Sequence, residues 1–302
     1  MNPLIKKAIH FFVQNDVVTK LESTGMLQSV NIADNIPVND YFDIEDNGAP
    51  VSIFSFAGGA AMYAGMPQFE FKKVICSNTN NLKKFNYVFV RDIKRMGYHI
   101  SPNGEKTGLT FFEQKIKDII KSLGSTYHIF IGSSQGGSAA MYFGVRCNIE
   151  KVIVFNPLVD QLRYVSSIFV TDVLFNKNIL MDFKHYSARL LFLLFSISVI
   201  NRMTRVLKRE NIWNIVKEYQ TATQRPKTVI FYSRLSKADN DQASQMDFPE
   251  TKRIGIDYNL HYLPKYLKGL GKLDTLIQSE INEAPDSLTH FFPTALDTTR
   301  TF

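Results

Sequence analysis

The sequence predicts an α/β protein built on a mostly parallel sheet with helices on both faces. Three observations carry this. Short, continuous apolar runs recur along the chain, as strands do when a sheet is covered on both sides. They alternate with segments of helical periodicity. One of them, "YHIFIG", runs directly into "SSQGGSAAMYFG", where a Gly/Ser cluster opens a helix of small residues.

Length and composition permit this. The 302 residues suffice for one large domain with an insertion. A hydrophobic content of 45% supplies a core and excludes bulk disorder. Two distant cysteines, Cys76 and Cys147, offer neither a disulfide framework nor a metal motif, which fits a reducing, cytoplasmic setting. No H-E-x-x-H or Cys/His cluster suggests a metal.

In chain order, residues 1–48 read as a helical or irregular lead-in. Its start, "MNPLIKKAIHFFVQNDVV", has no long apolar core and no small-residue cleavage site, so it reads as a short amphipathic helix rather than a signal peptide. "APVSIFSFAGGAA" places a buried strand over Val51 to Phe56, closed by a tight glycine loop. "NYVFVRD" is a second strand, Tyr87 to Arg91. "TFFEQKIKDIIKSLG" has helical spacing and ends on Gly124, a C-cap residue. "YHIFIG" is the third strand and "EKVIVFNP" the fourth, stopped by Asn156-Pro157. "KTVIFYSR" and "TKRIGID" are the fifth and sixth, and "LPKYLKGLGKLDTLIQSEI" is a closing helical segment.

The rhythm breaks over residues 159–224, which divide the core into 49–158 and 225–281. This stretch is strand-poor and reads as a helical cap. Its apolar run from Leu190 to Ile200 is too short for a membrane span, which needs about 20 residues; the next reading is a membrane-facing amphipathic element. Residues 282–302 read as a loose tail. Between positions 161 and 227 there are eleven Lys/Arg and four Asp/Glu, so this one stretch carries the whole net charge of +7. Such an excess is either a solvated face or a surface for an anionic partner: a phosphorylated cofactor, an acidic glycan or a lipid head group. No nucleic-acid motif accompanies it.

The chemistry centres on "FIGSSQGGSAA". A nucleophilic serine needs a sharp strand-to-helix turn, with small residues two before and two after it. Only one register fits: Gly132, Ser134, Gly136. Ser134 then begins a helix, where free N–H groups and the dipole favour negative charge. The Gln135 N–H is one candidate oxyanion donor; the second falls in "SFAGG", at Phe56, Ala57 or Gly58. The other reading is a Gly/Ser loop or a phosphate-binding turn; a Walker loop is absent because no Gly-Lys-Ser/Thr occurs.

A base should follow the serine and the acid in the chain. Of the later histidines, His185 lies in the expected cap and His290 in the tail. His261, in "GIDYNLHYLPKYL", lies between the last strand and the last helical segment and is the candidate. The loop "LSKADNDQAS" offers Asp239, with Asp241 the alternative; Asp247 and Asp257 are fallbacks. Arg91-Asp92, at a strand end, either binds substrate or holds its loop.

Taken together, "FSFAGG", "FVRD…GYH", "FIGSSQGG", "VIVFNP", the acid loop and "NLHYLP" resemble a bacterial α/β-hydrolase-like family. That family includes capsule polysaccharide O-acetyltransferases and the related accessory secretion protein linked to glycan acetylation. The resemblance covers about Val51 to Leu267 in scattered blocks. It implies an α/β-hydrolase fold and a serine acyl-enzyme that passes acetyl from acetyl-CoA to a sugar hydroxyl, with no tightly bound cofactor. Ser134 would be the nucleophile, His261 the base and Asp239 its orienting acid. The amides of Gln135 and the 56–57 turn would hold the oxyanion. A glycan acceptor is then the partner, with the basic, apolar cap receiving CoA phosphates, an anionic glycan or the inner face of the membrane.

Overall fold

The computed structural model describes residues 35–58, 70–76, 85–161, 163, 205 and 213–283. Most of the expected cap, the first part of the lead-in and nearly all of the tail lie outside these residues.

Seven strands form one sheet. They are β1 (Phe42–Glu45), β2 (Val51–Phe56), β3 (Asn86–Val90), β4 (Tyr127–Ser133), β5 (Lys151–Phe155), β6 (Lys227–Ser233) and β7 (Thr251–Ile256). Their order is β1-β3-β2-β4-β5-β6-β7. Only β1 is antiparallel to its neighbour; all other pairs are parallel. The helices are α1 (Lys72–Cys76), α2 (Gly108–Leu123), α3 (Gln135–Arg146), α4 (Ile215–Thr221), α5 (Lys237–Ser244), α6 (Leu263–Gly269) and α7 (Leu273–Asn282).

The six expected strands are present. β1 was not expected, and it gives the lead-in an element of its own behind a 3-10 turn at Val38–Tyr41. Its four residues include Asp43 and Glu45, so its sequence lacks the apolar run that marks the others. The expected acid loop is also different: after Ser236 it is helix α5, whose N-cap side chain accepts from the Asp239 N–H. The closing helical segment is two helices, parted where Gly271 takes a positive φ of 67°.

Alternation along the buried strands explains their continuous apolar runs. Phe54, Phe56, Val88, Val90, Phe130, Val152 and Val154 face one side, where Phe112 and Ile116 of α2 and Ala139, Ala140 and Phe143 of α3 pack on them. Val51, Ile53, Tyr87, Phe89, Ile129, Ile131, Ile153 and Phe155 face the other, against Leu263 and Leu267 of α6 and Ile277 and Ile281 of α7. Each such side chain contributes about 1.5–3 kcal/mol of burial. Among the described residues no helix is long and apolar enough to cross a membrane.

The topology sets the position of the site. From β2 the chain crosses to β3 on one side, then returns to β4 on the other. The carboxyl ends of β2 and β4 therefore flank a switch point, the place where open α/β sheets form a crevice. Phe56 lies in register with Gly132, and Ser133 with Phe155, so these strand ends form one rim.

Candidate active site

Ser134 lies between β4 and α3 with φ 53° and ψ −123°, a left-handed conformation that a side chain other than glycine adopts only under constraint. The constraint is visible. The Ser134 N–H donates to Phe155 O at 2.9 Å, and the Ser134 carbonyl accepts from the Ser138 N–H at 3.0 Å. The flanking glycines allow the turn to close. A Cβ at Gly132 would lie 2.2 Å from Gly136 O, and one at Gly136 would lie 2.2 Å from Phe56 O and 2.8 Å from Gly58 N. The G-x-S-x-G spacing is thus a requirement of close backbone approach at both ends. Ser133, the neighbouring serine, is the last residue of β4.

His261 follows β7, and its Nε2 lies 2.7 Å from Ser134 Oγ. Its Nδ1 lies 2.6 Å from Asp239 Oδ1. Ser134, Asp239 and His261, expected from the sequence as nucleophile, acid and base, are therefore brought into one hydrogen-bonded line. Asp239 comes from the first turn of α5 and is buried, as are Ser134 and His261. Asp241 is two residues further on, about 200° round the helix, which turns it away from His261. The fallback Asp247 pairs with Arg253 at 3.0 Å and Asp257 with Arg234 at 2.6 Å. His185 and His290 lie outside the described residues.

The His261 loop is anchored by a residue the sequence reading took only as a strand end. Asn156, fully buried and at φ 43°, donates from Nδ2 to His261 O at 2.8 Å and to Ser233 Oγ at 2.9 Å. Its Oδ1 accepts from the Ser233 N–H at 2.8 Å, and Ser233 Oγ donates to Leu260 O at 2.7 Å. The Asn-Pro after "VIVF" was the available signal: a polar residue at a strand end, just before a proline.

Gln135 opens α3, so its N–H has no acceptor within the helix and is available to an oxyanion. The other two expected donors are committed. Phe56 lies within the β2 ladder, and the Ala57 N–H donates to Val90 O at 2.8 Å. Gly58 is the next amide beside the turn, and its N–H donates to Glu70 Oε2 at 2.6 Å. Glu70 carried no motif and was not singled out in the sequence. Burial pushes its carboxyl up to about 7, against the lowering effect of the Gly58 N–H.

The "FVRD…GYH" block supports this turn. The buried Asp92 carboxylate accepts from the N–H groups of Met96 at 2.7 Å and Tyr98 at 2.9 Å. It thereby holds a loop with positive φ at Arg95, Gly97 and Tyr98. The Tyr98 hydroxyl then donates to Ala57 O at 3.0 Å. Arg91 donates to Asp40 O through Nε at 2.5 Å. Both residues thus hold backbone.

No protein-family model and no curated protein matches the chain. Solved structures do. A putative esterase from Staphylococcus aureus is similar over 92% of this chain and 99% of its own, with 12% identity and a TM-score of 0.53. Proline iminopeptidase of Mycobacterium smegmatis is similar over 82% and 97%, with 8% identity and a TM-score of 0.51. A capsule O-acetyltransferase of Neisseria meningitidis serogroup A covers 85% and 99%, with 14% identity and a TM-score of 0.49. Such identities speak to architecture alone: the chain has the α/β-hydrolase fold.

Proposed function

We propose that the chain is a serine-dependent acyltransferase that works through an acyl-serine intermediate. The observation that carries this is the line Ser134 Oγ–His261 Nε2–Asp239 Oδ1, at 2.7 and 2.6 Å. Ser134 Oγ attacks the acyl carbonyl carbon as its proton passes to His261 Nε2. The ionised Asp239 accepts the Nδ1–H, fixes the tautomer and stabilises the imidazolium. The Gln135 N–H faces the oxyanion. As the tetrahedral adduct collapses, the leaving group departs with the His261 proton. The incoming hydroxyl then attacks the acyl-serine and gives its proton to His261, which returns it to Ser134.

The finer reading is acetyl as the acyl group, acetyl-CoA as donor and a hydroxyl of a bacterial surface or capsular polysaccharide as acceptor. The motif blocks from "FSFAGG" to "NLHYLP" support it. The basic excess over 161–227 would receive CoA phosphates or an anionic glycan. With the apolar run beside it, that stretch would rest on the inner face of the membrane, the protein being cytoplasmic. The same three residues equally serve a carbohydrate esterase, in which water replaces the sugar hydroxyl.

Two measurements test this. A fluorophosphonate probe should label the wild type and not Ser134→Ala; an unlabelled wild type would favour a non-catalytic interaction protein. Incubation with acetyl-CoA should give acetylated glycan only when acceptor is added. Release of acetate without any transfer to acceptor would leave the esterase.

A further inference from the structure

Several acidic side chains outside the site have cationic partners. Asp43 and Glu45 meet Lys72, Asp257 meets Arg234, and Glu280 meets Lys151 and Lys252. Glu70 differs. Among the described residues its carboxyl meets no cation, and its hydrogen bond comes from the Gly58 N–H at 2.6 Å. Gly58 in turn touches the nucleophile turn from both directions. A Cβ on it would lie 2.6 Å from Ser133 O and 3.0 Å from Glu70 Oε2, and the missing Cβ of Gly136 would lie 2.8 Å from Gly58 N. The Glu70 carboxyl and the Gly58 amide therefore lie against the Ser133–Gly136 turn, on the space beside Ser134. An acyl oxygen needs that space once Ser134 Oγ has bonded to its carbon.

We propose that Glu70 gates the oxyanion site: as a carboxylate it occupies the Gly58 amide and repels an oxyanion, and as a neutral acid it admits one and donates its own O–H to it. This rests on the acyl-serine reading. A carboxylate and an oxyanion sharing one amide repel each other, whereas a neutral carboxyl there is a donor. The proton on Glu70 stays on Glu70; the Ser134 proton still passes to His261, so the balance of the transfer is unchanged.

Burial favours the neutral form of Glu70, against the Gly58 N–H, and no neighbouring cation offsets it among the described residues. Tyr98, on the β3–α2 loop, stands within electrostatic reach, and burial holds its hydroxyl well above the usual range, so it remains uncharged. Asp92 accepts from the Tyr98 N–H. Lys72, two residues on from Glu70, is directed to Asp43 and Glu45. His261 is engaged with Ser134 and Asp239. Burial places the Glu70 carboxyl at about 7, near neutral pH.

The test is the initial rate of p-nitrophenyl acetate hydrolysis by the full chain from about pH 6 to about pH 9. Wild type, Glu70→Gln and Glu70→Ala are compared, with Ser134→Ala as the blank. Wild type should fall about tenfold per pH unit above about pH 7, as expected when only a protonated group is competent. Both Glu70 variants should lose the alkaline fall: Glu70→Gln, which keeps a donor, should exceed wild type about 100-fold near pH 9, and Glu70→Ala, which has none, should hold a lower plateau. A wild-type alkaline fall that persists in both variants overturns the gate and leaves Ser134 chemistry intact. So does a uniform slowing of both variants at every pH, which would make Glu70 a support for the loop. If wild type never exceeds the Ser134→Ala blank at any pH, the acyl-serine reading fails and the gate with it.

Discussion

The side-chain amide of Asn156 donates to the backbone carbonyl of His261 at 2.8 Å. Through it the end of β5 holds the loop that follows β7, across the intervening β6. An imidazole that must stay near 2.7 Å from Ser134 Oγ needs such a fixed carbonyl behind it. Asn156→Ala should lower Ser134-dependent ester hydrolysis by roughly 10- to 100-fold, the usual cost of displacing a reacting group by about 1 Å. The fold should be retained, as read from the fluorescence of Trp213, the single tryptophan of the chain, buried between Tyr98, His99 and Tyr142.

The two aspartates of α5 should separate cleanly. Asp239→Asn should reduce turnover by roughly 10³- to 10⁴-fold, because an amide favours the wrong imidazole tautomer. Asp241→Asn should remain within about twofold of wild type, since that side chain lies on another face of the helix. Comparable losses in the two variants would remove Asp239 from its assigned role.

Gly136→Ala should cost stability rather than chemistry alone. Its Cβ would press to 2.2 Å from Phe56 O, which is backbone within a central strand and cannot yield. Overpacking of that kind costs about 3 kcal/mol or more, enough to lower Tm by roughly 6–12 °C in a domain of this size. Gly269→Ala is the control. Among the described residues nothing lies within 4 Å of its Cβ position, so its Tm should shift little, or slightly upward. Differential scanning calorimetry on both variants distinguishes them.

Acid should weaken the fold through His128. Its ring is buried beside Phe54, Nδ1 has no hydrogen-bond partner among the described residues, and burial lowers its pKa from 6.5 to about 4. Between these values the unfolded chain binds a proton that the folded chain refuses. Stability from this group is therefore full above about pH 6.5 and lost as pH falls towards about 4. At ~1.4 kcal/mol per unit the loss is a few kcal/mol. Urea titrations at about pH 7 and about pH 4.5 should show a smaller loss in His128→Phe than in wild type.

Much of this protein was legible in its sequence because the central strands are buried on both faces. That burial writes a continuous apolar run, and "SIFSF", "YVFV", "IFI" and "VIVF" all carry one. β1 carries none: it is a short edge strand, and half of it is acidic. The Gly132–Ser134–Gly136 spacing was legible for a different reason, since backbone contact at 2.2 Å admits no side chain. His261 followed from its position after the last strand. Asp239 could not be fully separated from Asp241, because the local sequence reads as a loop and only helical geometry turns one of them away. Among Phe56, Ala57 and Gly58, which amides are already committed to other acceptors was not legible. Nothing in "SFAGG" reveals that Ala57 extends the β3 pairing, and nothing in "QFEF" marks Glu70 as facing Gly58.

Ser134 and His261 are 127 residues apart in the chain, and meet only when the strands from β4 through β7 have been laid side by side. A growing chain therefore carries its serine long before it carries the histidine that gives the serine its reactivity. During synthesis, and in any fragment cut before β7, this serine should behave as an ordinary alcohol. Reactivity towards a serine-directed probe thus reports the completed sheet, and a proteolytic nick between β5 and β7 that lets the halves part should silence it at once.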